Sequence, residues 1–160
     1  MNRYRIATCL ALSTLAVFAL TIAVYAADSQ IGTWKLNVGR SKYDPASLAT
    51  KSQTSTITAA SGGIKASATM VDSADKTVTY DFTAKYDGKD YAVHGDPTRD
   101  TTAYTRIDDH TYTTINKKAG KVTTTVHFVY SADGKMRTLT STGTNAQGQK
   151  INNVTVWDRQ

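Results

Sequence analysis

The sequence predicts an all-β domain: an antiparallel up-and-down meander of about ten strands, closed or nearly closed into a barrel. Three observations lead there. Past its first 26 residues the chain is rich in Thr, Val and Tyr, poor in Leu and without Glu, a composition that suits pleated, half-buried strands and disfavours long helices. Turn signals recur at short, even intervals: Ser61-Gly62-Gly63, Asp72-Ser73-Ala74-Asp75, Asp87-Gly88, Gly95-Asp96-Pro97, Asp108-Asp109, Ala119-Gly120, Asp133-Gly134 and Gln147-Gly148. Between them the apolar residues alternate with period two. Strands joined by tight turns are antiparallel neighbours, and a long meander loses its two exposed edges by closing on itself.

The first segment lies outside this pattern. Arg3 and Arg5 precede an apolar run from Ile6 to Val24, and Val24-Tyr25-Ala26 supplies small or tolerated residues at a cleavage point. This is the three-part form of a secretory signal peptide, so residues 1–26 are assigned to a leader and 27–160 to a single β-barrel domain. Cleavage is expected after Ala26 or one residue later. The run is long for such a leader, and an uncleaved single-helix anchor is the alternative. Cys9, the only cysteine, falls inside the leader, so the mature chain has no thiol nucleophile, thiolate metal site or redox pair. About 134 residues remain, one domain able to bury a sizeable core without staples. Without Arg3 and Arg5 the formal net charge falls from +6 to +4. The charges are interleaved, with no basic run set among aromatics, so nucleic-acid binding is not expected.

The strands are placed at 31–38, 52–60, 64–72, 77–86, 89–95, 101–107, 111–117, 121–131, 135–144 and 150–158. In 77–86, Val78, Tyr80, Phe82, Ala84 and Tyr86 share one face, with Thr77, Thr79, Asp81, Thr83 and Lys85 on the other. In 121–131, Val122, Thr124, Val126, Phe128 and Tyr130 share a face and His127 points away from it. The one long connection, Gly39 to Lys51, is expected to hold a short helical turn after Pro45 or to lie over a barrel mouth.

The first strand opens Gly32-Thr33-Trp34-Lys35-Leu36. A Gly-x-Trp at the head of a meander barrel resembles the calycins, that is, the lipocalins and fatty-acid-binding proteins. The wider pattern GTWKLN…SKY, YDGKDYAVHGDP, KKAGKV and GTNAQGQ…NNV is similar to small secreted bacterial lipocalin-like proteins over nearly the whole mature chain. The resemblance implies that Gly32 lets the chain pass close to the barrel floor. It also implies that Trp34 closes that floor beneath a cation, supplied by Arg159 or Arg106. The chain departs from the fatty-acid-binding subgroup at its last strand, NNVTVWDRQ, which lacks that subgroup's Arg-x-Tyr. The residues for its helical lid are also too few.

No nucleophile elbow, phosphate loop or dinucleotide fingerprint occurs. His94, His110 and His127 lack metal-ligand spacing, and thirteen aspartates make some carboxylate pair inevitable. Asp108-Asp109-His110 and His94-Gly95-Asp96-Pro97 sit where turns belong and read as turn chemistry before acid–base or calcium chemistry. Asn153-Val154-Thr155 is formally a glycosylation acceptor but lies in a strand. The turns are short at both ends of the meander, one face of most strands is polar, and the chain ends in Asp158-Arg159-Gln160, unlike an outer-membrane barrel.

No catalytic residue, metal or cofactor is therefore expected. The candidate ligand-binding residues are the aromatics expected to line the barrel: Tyr80, Phe82, Tyr86, Tyr112, Phe128 and Tyr130. The reading is of a non-enzymatic binding module for a small apolar or amphipathic ligand. It is secreted across the inner membrane to the periplasm or beyond, with no stable membrane insertion once the leader is removed. The alternative is a filled barrel acting through its surface or its 39–51 loop.

Overall fold

A computed structural model of the chain describes residues 28–145 and 147–160. The expected signal peptide, its expected cleavage point and Cys9 lie outside the described residues. The ten strands are β1 (Gly32–Lys42), β2 (Ser52–Ala60), β3 (Gly63–Val71), β4 (Thr77–Lys85), β5 (Asp87–His94), β6 (Thr101–Arg106), β7 (Thr111–Lys118), β8 (Lys121–Tyr130), β9 (Met136–Thr144) and β10 (Lys150–Arg159). Each pairs antiparallel with the next, and β10 returns to β1 through Trp34↔Arg159 and Leu36↔Trp157. The sheet is a closed ten-stranded barrel, so no strand offers an unpaired edge.

The alternation in the sequence sets the inside of this barrel. Val78, Phe82 and Ala84 of β4 are buried while Thr79, Asp81 and Thr83 face solvent. The core concentrates at one end, where Trp34 and Tyr112 have no exposed surface. There Trp34 meets Tyr130 edge-on at 5.3 Å, Tyr130 meets Tyr112 at 5.7 Å, and Tyr112 meets Tyr86 at 5.4 Å. Above them Tyr104 packs between Phe82 at 5.6 Å and Phe128 at 5.9 Å. Such pairs add about 0.5–1.5 kcal/mol each beyond the area they bury.

Two strands depart from simple alternation. Opposite β7, the register of β8 moves from Asn116↔Thr124 to Lys117↔Val122, leaving Thr123 as an extra residue. This bulge inverts the faces beyond it. Val122, expected on the inner face, is 57% exposed, and Thr123 is buried with its hydroxyl donating to the Asn116 carbonyl at 3.3 Å. In β1 the strand runs four residues past the expected end at 38, because its register with β10 jumps from Asn37↔Val156 to Lys42↔Val154. Side chains hold the bulged segment: the Val156 amide donates to Ser41 Oγ at 3.0 Å, and Ser41 Oγ donates to the Asn37 carbonyl at 2.8 Å. The connection that follows contains a 3₁₀ turn, Ala46–Leu48.

Between β4 and β5 the ladder reduces to Asp81↔His94 and Phe82↔Val93. At its end Gly95 has φ +82°, and a Cβ there would stand 2.2 Å from the Thr79 carbonyl oxygen. Only glycine fits so close to the opposite backbone.

Candidate functional site

The two ends of the barrel differ in chemistry. At the closed end the segment before β1 is drawn under the floor. Tyr86 and Tyr112 both donate to the Asp28 carboxylate, the latter at 2.9 Å. Gln30, wholly buried, donates to the Tyr86 hydroxyl at 3.2 Å and accepts from that of Tyr130 at 3.3 Å. The Trp34 indole donates to the Gln30 carbonyl at 2.9 Å. Arg159 lies over the Trp34 ring at 4.7 Å and donates to the Ser29 carbonyl at 3.0 Å. Gly32, with φ +140°, leaves room for it, since a Cβ there would meet the guanidinium at 3.2 Å. Arg106, the other candidate for that cation, lies elsewhere: its guanidinium is 5.8 Å from the Tyr112 ring and pairs with Asp109 at 2.8 Å.

From the opposite mouth a cavity of about 260 Å³ runs into the barrel. Tyr43 and Thr50 of the long loop, and Pro97 and Thr98 of the β5–β6 turn, stand at its entrance. Phe82, Tyr104 and Phe128 form its aromatic wall, and Arg137 and Trp157 lie deeper. The six aromatics expected to line the barrel therefore divide. Tyr80, Phe82 and Phe128 line the cavity; Tyr86, Tyr112 and Tyr130 do not and belong to the floor network. The division follows from depth along the strands, which face periodicity does not encode.

Three charged side chains line the cavity: Asp96, Arg99 and Arg137. Arg99 is fully engaged. It donates to Asp96 at 2.9 Å and to Asn116 Oδ1 at 3.0 Å, and it covers the Tyr80 ring at 4.9 Å. Asp96 also accepts from the amide and hydroxyl of Thr98, so the carboxylate both closes the turn and fixes Arg99. Arg137 is different. It is 3% exposed and sandwiched between Trp157 at 4.6 Å and Trp34 at 5.0 Å. Its one hydrogen bond is a long one, 3.4 Å to the Tyr130 hydroxyl, and its Nε has no partner among the described residues. All thirteen acidic residues are described, and none forms an ion pair with it. Burying an ion costs several kcal/mol; each desolvated indole face returns about 2 kcal/mol or more.

The interior phenols answer to this environment. Burial raises the pKa of Tyr104, against the opposing pull of Arg99. Burial likewise raises that of Tyr130, opposed by Arg137. Tyr112 is pushed up to about 12, chiefly by burial.

Arg137, Asp28 and Gln30 have no place among the sequence-based candidates. For Arg137 a signal existed. Counting back from the Gln147-Gly148 turn places it opposite Trp157 on the same face. The remaining polar candidates are occupied by local structure. Asp108 accepts from the His110 amide at 2.8 Å, while Asp100 accepts from Lys118 and the Ala119 amide, both at 2.6 Å. His94, His110 and His127 are exposed, and the His127 ring meets Thr113 Oγ1 at 3.0 Å. Among the described residues no three His, Cys, Asp or Glu side chains are grouped to hold a metal, and no helix is long and apolar enough to cross a membrane.

The chain matches no protein-family model, and no curated protein matches it.

Proposed function

We propose that the chain is a lipocalin-like binding module that holds a small apolar or amphipathic ligand inside its barrel. The observation that carries this reading is the cavity: an opening at one mouth leads to an aromatic wall, while the other end is sealed by Trp34 and the Asp28–tyrosine network. At about 260 Å³ it lies just below the usual range for small-molecule pockets and is too small to enclose a long lipid chain. The leader in the sequence supports export across the inner membrane, so the ligand would be met in the periplasm or outside the cell. The barrel closes fully, with charged and polar side chains on its outer face, which supports a free domain after leader cleavage.

Native mass spectrometry of the mature protein, purified from its own secretory compartment, tests this. The expected result is an added small-molecule mass that is released on denaturation. A clean apo mass, unchanged after exposure to a metabolite extract, would shift the reading to a barrel acting through its surface. The observation favouring that second reading is the 39–51 loop, which stands at the mouth with Tyr43 and Thr50 facing the cavity. It is pinned there by the Asp44 amide donating to Asn153 at 2.9 Å.

A further inference from the structure

We propose that the natural occupant of the cavity is a small amphipathic monoanion whose carboxylate lies against the Arg137 guanidinium. This rests on the carrier reading and specifies its ligand.

The argument is one of charge and space. Asp96 and Arg99 neutralise each other across 2.9 Å, which leaves Arg137 as an uncompensated positive charge on the cavity wall. None of the thirteen acidic residues pairs with it, so its counter-charge would be supplied by a bound anion. The two indoles that flank Arg137 fix the plane of its fork. A planar, preset guanidinium favours a carboxylate, which it binds through two parallel hydrogen bonds. The hydroxyls of Thr155 and Ser141 also line the cavity. Thr155 Oγ1 already accepts from the Trp157 indole at 3.0 Å and keeps its own proton to donate. The body of the ligand would lie on Phe82, Tyr104 and Phe128. A volume of about 260 Å³ admits on the order of ten non-hydrogen atoms, at somewhat under the ~30 Å³ that one water occupies.

Three probes of one shape separate charge from fit: phenylacetate, phenylacetamide and phenethylamine, which carry negative, zero and positive charge on the same ring. Each is titrated into the purified mature protein by calorimetry and by nuclear magnetic resonance. Phenylacetate is expected to bind about tenfold or more tighter than the amide, as a charge-assisted hydrogen bond provides, and the amine not to bind. The Arg137 Nε–Hε resonance of the unmodified protein should shift with the acid alone. In Arg137→Gln the difference between acid and amide should vanish while amide binding persists. If that variant does not fold, Arg137→Lys, which keeps the charge but loses the fork, should retain only part of the preference. Equal binding of acid and amide to the unmodified protein would overturn the proposal and leave the carrier reading standing. An acid preference that survives in Arg137→Gln would also overturn it. If none of the three probes shifts a cavity resonance, the carrier reading falls with it.

Discussion

Asp28 shows how much of this barrel hangs on single polar side chains. Its carboxylate accepts from the hydroxyls of Tyr86 and Tyr112, and also from the Gln30 backbone N–H at 3.0 Å. Asp28→Ala leaves those donors without an acceptor under the barrel floor. Each stranded group costs about 1–3 kcal/mol when buried, and partial solvent access reduces this. A loss of about 2–3 kcal/mol in urea unfolding is expected, with the Trp34 fluorescence disturbed because its indole is tied to the same segment. Thr114 makes the opposite case. Its side chain is 1% exposed and its hydroxyl has no partner among the described residues. Thr114→Val keeps the shape and removes an unsatisfied donor, so stability should rise by about 1 kcal/mol. A fall in the thermal midpoint would show that the hydroxyl is hydrogen-bonded to an interior water.

At the scale of elements, the strands were legible because each carries its own evidence: period-two alternation between turn residues with defined geometry. The observed limits of β2, β3, β4 and β8 fall within one residue of those expected. What could not be read locally was anything decided by register. The bulge at Thr123 depends on what β7 places opposite it, and no residue type in Val122-Thr123-Thr124-Thr125 announces it. Arg137 sits in Met136-Arg137-Thr138-Leu139-Thr140, where the alternation is weak, so it reads as a surface charge until β10 is aligned beside it. The weak seam between β4 and β5 is invisible for the same reason: β4 alternates well by itself, and the exposed start of β5, Asp87 to Asp90, does not reveal how the two strands pair. Amides along that seam should exchange with solvent before those of β2–β3 or β9–β10, whose ladders run unbroken. Gly95→Ala, forced into both a positive φ and a clash with the Thr79 backbone, should widen the seam. Its expected signature is faster exchange confined to β4 and β5, with a loss of about 1–3 kcal/mol in global stability. Uniform acceleration around the barrel would show instead that the seam opens only with the whole sheet.

Among the described residues most phenols face the interior and most carboxylates lie at turns, and this sets how the whole molecule responds to pH. Tyr86, Tyr104, Tyr112 and Tyr130 all have pKa values raised in the fold, with burial the largest cause in each. A raised folded pKa means that the unfolded chain releases its proton first. The stability these groups confer is fully present below about pH 10, the ordinary phenol value. It is lost as the pH climbs from there through the folded values. Each phenol held neutral in the fold and ionised outside it contributes about 1.4 kcal/mol of loss per pH unit. Tyr104 and Tyr130, 5% and 3% exposed, carry this in full, together about 3 kcal/mol per unit. Tyr86 and Tyr112, whose hydroxyls reach Asp28 at the solvent side of the floor, add less. Against a typical total of about 5–15 kcal/mol, the barrel should unfold cooperatively within a few pH units above 10. The acid limb runs the other way and is shallow. Asp87, Asp100 and Asp108 have lowered pKa values, chiefly through hydrogen bonds from turn amides, and Asp133 through the Ser131 hydroxyl. Their contribution is present above the ordinary carboxylate value and is lost as pH falls through the lowered folded values, but all four are exposed. Urea midpoints should therefore stay nearly flat from mildly acid to weakly alkaline pH and then collapse. The ultraviolet absorbance of ionised phenol should appear together with the loss of near-ultraviolet dichroism. Phenols that titrated near pH 10 with the dichroism intact would mean that water already fills the barrel, and that the aromatic wall of the cavity is not the dry surface its packing describes.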